Sequence, residues 1–283
     1  MKKTLLIVTY FGKFPYYHEL WEKSAHFNSG IDWLVFTDQR KDGQNKNIKY
    51  INFNLDKINN LIKTKLSPEV SIKSPYKLCD LRLAYPVVFD DYLSNYEFWG
   101  HCDLDIIWGN IKLFLNYNYI WNYDIISGDH RRICGPFTLY KNNSKIKNLY
   151  KNIKNYFEIL NSEESGIIDE LEFNQVDEKG RCNQTLDTNK YSVFRGFHKI
   201  LDTTINIQRY GKDRVPCFWE NGKLIMKSLL EPLAKSNHMF YGFGAESMFV
   251  HVRKWHYIDL ETNYMYHKNH NKEILEKWQQ IKK

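Results

Sequence analysis

Residues 98–105 read Phe98-Trp99-Gly100-His101-Cys102-Asp103-Leu104-Asp105, a compact apolar run that ends in two carboxylates with one residue between them. An apolar run without polar alternation marks a strand buried on both faces, as in a parallel sheet covered on each side by helices. In open α/β sheets, ligands bind beyond the carboxyl ends of the strands. Asp103 and Asp105 fall at that end, so this stretch implies both a fold class and the edge where its chemistry happens.

The chain before it fits the same frame. Residues 4–10 are β-branched and apolar and stop at Gly12, with Pro15 beyond, which predicts a first, central strand. Residues 17–27 place Leu20, Trp21, Ser24 and Phe27 on one helical stripe. Residues 32–38 form a second strand ending on Asp38, and residues 50–53 a short third one after a polar, basic loop at 39–49. Strand, helix, strand in that order favours a parallel sheet. Ser74-Pro75 is a helix start, and Leu78, Leu81, Tyr85, Val88, Phe89 and Tyr92 recur at helical spacing to about residue 93.

After the acidic pair, strands are expected at 124–127 and 136–140 and a basic amphipathic helix at 144–160. From 161 to about 206 the periodicity fades. Asn221-Gly222 between two apolar runs is the strongest two-residue hairpin signal, placing a hairpin over 217–226. A last strand follows at 247–252. The tail from Lys272 puts Ile274, Leu275, Trp278 and Ile281 on one helical face. Neither an internal repeat nor a low-complexity linker divides the chain, so 1–283 reads as one domain with a less regular second half.

The 283 residues suffice for a sizeable core, and 43% apolar with 26% charged content excludes a disordered or fibrous chain. The surplus lies in aromatics: 20 Tyr, 17 Phe and 8 Trp, which serve either as core or as stacking surfaces for flat and ring-shaped ligands. Trp108, Phe137, Trp219, Phe240 and Tyr241 are candidates for sugar faces, with core as the plainer reading of most. The net charge of +7 suits a polyanion, a nucleotide or an anionic membrane and selects none. Five cysteines without a Cys-x-x-Cys pair argue against a disulfide framework and a structural zinc, and point to a reducing, cytoplasmic compartment. The apolar run near Met1 is too short for a signal-peptide core, and no window is long enough to span a membrane.

Three constellations carry chemistry. Asp103 and Asp105 can hold a hard divalent cation, Mg²⁺ or Mn²⁺, and leave positions for phosphate oxygens; the plain alternative is a turn with two solvated aspartates. His251-Val252-Arg253-Lys254 follows the last strand, where the imidazole could complete a ligand set and Arg253 or Lys254 could neutralise a diphosphate. Lys77 and Asp80 share one helix edge, either facing a phosphate and a ribose or forming an exposed ion pair.

Taken together, Thr9-Tyr10-Phe11-Gly12-Lys13-Phe14-Pro15, residues 32–38, Tyr76-Lys77-Leu78-Cys79-Asp80 and residues 98–105 resemble, in the same order, a bacterial family of glycosyltransferase-like proteins encoded with surface-polysaccharide genes. The resemblance continues less specifically through residues 176–180, the 219–224 hairpin and residues 251–254. It implies a GT-A fold, a Rossmann-like mixed sheet flanked by helices that binds a nucleotide-sugar, UDP-linked by preference, through Mn²⁺ or Mg²⁺. It implies that residues 1–140 are the nucleotide-sugar half and 141–283 the acceptor half. Thr9, Tyr10, Phe11 and Asp38 would receive base and ribose, with Lys77, Asp80, Asp103 and Lys254 also on the nucleotide. Asp103, Asp105 and His251 would hold the metal. Asp177 and Glu178 would be the acceptor-side acids, although Lys179 stands where an aromatic is expected. The acceptor would be an oligosaccharide or lipid-linked glycan of capsule or lipopolysaccharide type, met at the inner face of the cell membrane.

Two rivals stand beside this reading. Phosphatases of the aspartyl-phosphate type also use Asp-x-Asp after a strand, but usually on the first strand. A nucleic-acid-binding protein would show clustered basic residues among exposed aromatics or a known module, and neither is present. The apolar stripes at 144–160 and in the tail could rest on an anionic membrane, docking on the sheet being the ordinary alternative.

Overall fold

The structure is a computed structural model; it describes residues 3–39, 46–115, 118–127, 132–164, 166, 168–173, 185–186, 190–194, 217–226, 245–247, 249–251, 256–260 and 264–267. The apolar N-terminal run forms β1 (Thr4–Thr9), helix α1 (His18–Phe27) follows, and β2 (Ile31–Thr37) returns parallel to β1. β3 (Ile48–Asn52) adds outside β2, and α2 (Leu55–Lys65) is capped by Asn54, whose side chain accepts from the Lys57 amide at 3.0 Å. β4 (Phe98–Cys102), the strand of the opening motif, is buried throughout and pairs parallel with β1 on its other side.

β5 (Ile106–Trp108), β6 (Ile125–Ser127), β7 (Phe137–Lys141), β8 (Glu172–Phe173), β9 (Thr185–Leu186) and β10 (Val193–Phe194) come next. Seven strands make the main sheet in the order β10-β6-β7-β4-β1-β2-β3, with β7 antiparallel to both neighbours. The expected Rossmann-like mixed sheet flanked by helices is therefore present. Alternation along β1 splits the core in two. Leu6 and Val8 pack with Trp21, Trp33 and Trp108 on one face. Leu5 and Ile7 pack with Ile58, Ile62, Leu81, Phe89 and Leu160 on the other.

The hairpin expectation holds: β11 (Cys217–Glu220) and β12 (Lys223–Met226) meet through Asn221 at φ 46° and Gly222 at φ 78°. Positive φ at both central residues is what a type I′ turn requires. β13 (Ala245–Ser247), β15 (His256–Asp259) and β16 (Tyr264–His267) join it in a five-stranded sheet, order β13-β12-β11-β16-β15. β14 (Phe249–His251) instead pairs antiparallel with β5. The strand expected at 247–252 is thus two short ones in different sheets, and it is not the last.

Two long helices are corrected. Residues 75–93 form a chain of short pieces: 3₁₀ turns at Pro75–Cys79, Arg82–Ala84 and Asp90–Tyr92 with one α turn at Tyr85–Val88. Pro86 breaks the run between Arg82 and the α turn, because it lacks an amide donor and its ring clashes with the carbonyl four residues earlier. Ser74 makes no side-chain cap bond. Residues 144–160 break likewise into Ser144–Lys147, Leu149–Asn152 and Tyr156–Asn161. Asn155 sits in the left-handed region at φ 55°, and the Asn148 and Asn152 amides donate to the Ser144 and Leu149 carbonyls, competing with the helix. Phe27, expected on the buried stripe of α1, is 44% exposed, and its ring lies against Gly222 of the hairpin. The tail from Lys272 lies outside the described residues.

Gly100 fixes the centre of the sheet. A Cβ there would run into the Thr138 carbonyl of β7 and come within 2.8 Å of Leu139 Cδ2. Gly100→Ala is expected to destabilise the fold by about 2 kcal/mol or more, read from the urea midpoint at unchanged slope.

Candidate functional site

The carboxyl ends of β1, β2 and β4 lie side by side, with Thr9 opposite Phe36 and Ile7 opposite His101. The Tyr10 amide continues the ladder to the Phe36 carbonyl at 2.9 Å. Beyond it the chain turns at Gly12, whose φ of 97° favours glycine. The Gly12 amide donates to Asp38 Oδ1 at 2.8 Å, and Gln39 donates to the same oxygen at 3.0 Å. These two bonds, the Gln39 bond first, hold the exposed Asp38 carboxyl below its ordinary pKa. Thr9 Oγ1 is 2.9 Å from the Tyr85 hydroxyl. Thr9, Tyr10, Phe11 and Asp38 thus stand together at one edge.

Asp103 and Asp105 are half-buried on that edge. The Asp103 amide donates to the Pro136 carbonyl at 3.1 Å, tying the turn to the strand that follows. Asp105 faces aromatics: its charge, after burial, raises the pKa of both Tyr10 and Tyr17. The Tyr10 hydroxyl donates to the Lys13 carbonyl at 3.2 Å. Tyr10 stacks on Phe14 with centroids 5.6 Å apart, and Phe14 on His18 at 3.9 Å.

The Asp103 carboxylate is held by Arg82, which residue pattern alone did not single out. Arg82 is 7% exposed and donates to Asp103, to Asp169 Oδ2 at 2.7 Å and to the Gly135 carbonyl at 2.7 Å. Beside it Glu170 accepts from Arg132 at 2.6 Å. A Cβ on Gly135 would lie 3.1 Å from both Asp169 Oδ2 and Glu170 Oε1, so this acidic pair packs against bare backbone. Burial outweighs the guanidinium at Asp169 and, with Asp103, Glu170 and Asp80 nearby, pushes its pKa up to about 7. One sequence signal pointed here: Arg82 interrupts the apolar run Leu81, Leu83, Ala84, where a charge needs a partner.

Lys77 and Asp80, expected either to face a nucleotide or to form an exposed ion pair, are 2% and 0% exposed and pair with each other at 2.9 Å. Lys77 Nζ also donates to Ser162 Oγ at 3.0 Å and to the Glu164 carbonyl. Asp80 accepts from the Gly166 amide at 2.8 Å and the Ile168 amide at 3.1 Å. The pair anchors the segment that delivers Asp169 and Glu170.

Asp177, Glu178 and Lys254 lie outside the described residues. The backbone of His251 is described: β14 sets it opposite Ile106, the residue after Asp105. Among the described residues no group of three or more His, Cys, Asp or Glu side chains is placed to hold a metal ion. Two carboxylates at a strand end nevertheless fit Mg²⁺ or Mn²⁺, ions commonly bound through one or two carboxylates plus substrate phosphates rather than by an all-protein cage. An open cleft of about 350 Å³ lies at the opposite, amino-terminal end of the sheet, lined by Leu5, Asp32, Lys49 and Tyr96, and includes none of these residues.

A protein-family model matches residues 6–275. The chain belongs to that family, DUF6625, a family of unknown function. No curated protein matches it. Two solved structures of the galactosyltransferase LgtC are similar. One, in complex with donor and acceptor sugar analogs, is 11% identical with a TM-score of 0.35, over 55% of this chain and 64% of that one. The other, an active-site mutant, is 10% identical with a TM-score of 0.34, over 56% of this chain and 66% of that one. The match spans less than two thirds of either solved chain. Among the described residues of this DUF6625 chain, no helix is long and apolar enough to cross a membrane.

Asp169 yields a pH signature. Its folded pKa of about 7 exceeds the ordinary 3.8, so the folded chain holds the proton more tightly. Its contribution to stability is full below about pH 3.8 and is lost as the pH rises through about 7. Asp169→Asn is expected to flatten that part of the stability profile, measured by urea unfolding of metal-free protein. Arg82→Met, which strands buried carboxylates, is expected to cost about 3–5 kcal/mol, and less in the Asp169→Asn background.

Proposed function

We propose that this DUF6625 chain is a metal-dependent glycosyltransferase of GT-A type, moving a hexose from a nucleotide-sugar, by preference UDP-linked, to a glycan acceptor. The observation that carries the reading is the convergence at one sheet edge. The Asp103/Asp105 pair ends β4 beside the ends of β1 and β2, and the β5–β14 pairing brings the His251 backbone next to it. That is where a parallel sheet presents a ligand.

Sugar transfer from a nucleotide must stabilise a departing diphosphate while a cationic sugar carbon is shielded from water. Asp103 and Asp105, with His251, would hold Mn²⁺ or Mg²⁺; bound there, the ion would supply positive charge for the diphosphate. Lys254 would add a cation on the same side. Arg82 orients Asp103 through a rigid guanidinium fork. Thr9, Tyr10, Phe11 and Asp38 would receive the base and ribose. Asp169 shares the Arg82 guanidinium with Asp103 and so helps to fix that carboxylate in place. Asp177 and Glu178 are assigned the acceptor-side acid role. Residues 1–140 then serve the donor and 141–283 the acceptor, a surface glycan or its lipid-linked precursor at the cytoplasmic face of the membrane.

The aspartyl-phosphatase rival is weakened by Arg82. A carboxylate oxygen engaged by a buried guanidinium is a poor nucleophile. Calorimetric titration of UDP, GDP and CMP, with Mn²⁺ and with chelator, tests the reading. Mn²⁺-dependent binding of UDP is expected, weakened by about a hundredfold or more in Asp105→Ala. Absence of nucleotide binding under every condition would sink the transferase reading.

A further inference from the structure

The cleft at the amino-terminal end of the sheet has no part in the transfer reading, which uses the opposite end. The strand register shows how it is built. Leu5 pairs with Asp32 and Leu34 with Lys49 in parallel strands, so these four side chains stand on one face. Leu81 and Phe89 cover that face further along. The cover ends at Tyr92, whose ring meets Phe36 edge-on at 5.5 Å, and beside it lies the open volume of about 350 Å³.

Both rims are fixed. The Asn142 amide donates to the Leu93 and Tyr96 carbonyls at 2.9 Å each, which holds the turn that carries Asn95 and Tyr96. On the other side the buried Asn47 donates to the Ala25 and Ile31 carbonyls at 3.1 Å each, between Lys46 and Lys49. The polar groups inside are only partly used. The Tyr96 hydroxyl donates to Asp32 Oδ2 at 2.8 Å. Among the described residues Asp32 Oδ1 and the Asn95 side chain have no hydrogen-bond partner, and neither Lys46 nor Lys49 is in an ion pair. Lys3 brings a third ammonium, 5.2 Å from the Tyr96 ring centroid.

The chemistry narrows the ligand. Three ammonium groups against one carboxylate favour a negatively charged partner, and the exposed, unpaired Lys46 and Lys49 suit a carboxylate or a phosphate. Asp32 repels a bare anion but accepts from hydroxyls. Leu5 and Leu34 with Tyr92 add apolar surface for C–H groups. The volume is at the small end of ligand pockets, enough for roughly one or two sugar rings and far more than an inorganic anion fills. We propose that this cleft binds an acidic sugar unit, its carboxylate or phosphate held by Lys46 and Lys49 and its hydroxyls by Asp32 and Asn95. Asp32 and Thr37 are five residues apart on β2, about 17 Å, so the bound sugar is out of reach of the Asp103/Asp105 end. The site serves binding, and it stands whether or not the chain is a transferase.

Amide chemical-shift titration of the full chain tests it, with glucuronate, glucose 6-phosphate, methyl glucoside and inorganic phosphate as probes. Glucuronate, glucose 6-phosphate or both are expected to shift the signals of residues 46–49 and 95–96. They should bind about tenfold tighter than methyl glucoside or phosphate, and their ranking tells a carboxylate site from a phosphate site. Lys46→Gln with Lys49→Gln, two exposed changes checked by an unmoved urea midpoint, should weaken the acidic sugar by about tenfold. Asp32→Asn should weaken the sugar but not phosphate. Saturating UDP with Mg²⁺ should leave these affinities unchanged. The proposal is overturned if no probe shifts these residues, if phosphate or methyl glucoside binds as tightly as the acidic sugars, if the double lysine variant binds them like the wild type, or if UDP displaces them. Acidic-sugar binding here in a chain that binds no nucleotide would overturn the transferase reading and leave this site standing.

Discussion

Burying the Arg82 guanidinium costs several kcal/mol of lost hydration, and only partners with good geometry offset that. Arg82 has three of them, in three separate parts of the chain: the Gly135 carbonyl before β7, Asp103 at the end of β4, and Asp169 far downstream. A lysine could not replace it, since a single ammonium cannot present a planar fork to acceptors on different sides. Removing any one partner leaves charge stranded in a low-dielectric interior. The position of the first carboxylate of the Asp-x-Asp pair is therefore coupled to the position of Asp169, and neither moves alone.

The Lys77–Asp80 pair serves the same constraint one layer further in. Asp80 accepts two amides, from Gly166 and Ile168, and Lys77 draws in Ser162 and the Glu164 carbonyl. Packing leaves little latitude here: a Cβ on Gly166 would collide with the Ile159 side chain. Two residues past Gly166 the 3₁₀ turn Ile168–Glu170 begins, carrying the acids that meet Arg82 and Arg132. Two buried ion pairs in series thus convert an irregular stretch into a fixed wall of the site. This role needs no contact with substrate, yet it explains why a lysine and an aspartate persist in an interior that would otherwise be apolar.

What could be read from residues alone follows from how local each signal is. β1, β2 and β4 declare themselves because unbroken apolar runs have few other uses, and the Asn221-Gly222 turn because both residues tolerate positive φ. The acidic pair is legible as a strand end, and it lies there. Apolar spacing alone over-reads helix at 75–93 and 144–160, because it gives no weight to Pro86 in the first or to the excess of asparagine in the second. Lys77 and Asp80 could not be placed, since an i,i+3 pair looks the same in sequence whether solvated or buried. Asp169 and the β5–β14 pairing depend on contacts between distant segments, for which a single sequence carries no period or spacing.

The aromatic surplus was legible as a quantity and ambiguous as a use. Among the described residues much of it is core: Trp21, Trp33, Trp99, Trp108, Tyr85, Tyr140 and Phe137 are all essentially buried, on both faces of the sheet. That removes Trp108 and Phe137 from the candidates for sugar contact, and Trp219 is engaged through its indole, which donates to the Trp108 carbonyl at 2.8 Å. Phe240 and Tyr241 lie outside the described residues. Among the rest, exposure and proximity to carboxylates rarely coincide. Tyr119 is exposed but packs on Phe194 at the far side of the sheet order, beside β6. The aromatic surplus therefore serves first to fill both faces of the sheet that carries Asp103 and Asp105 at its edge.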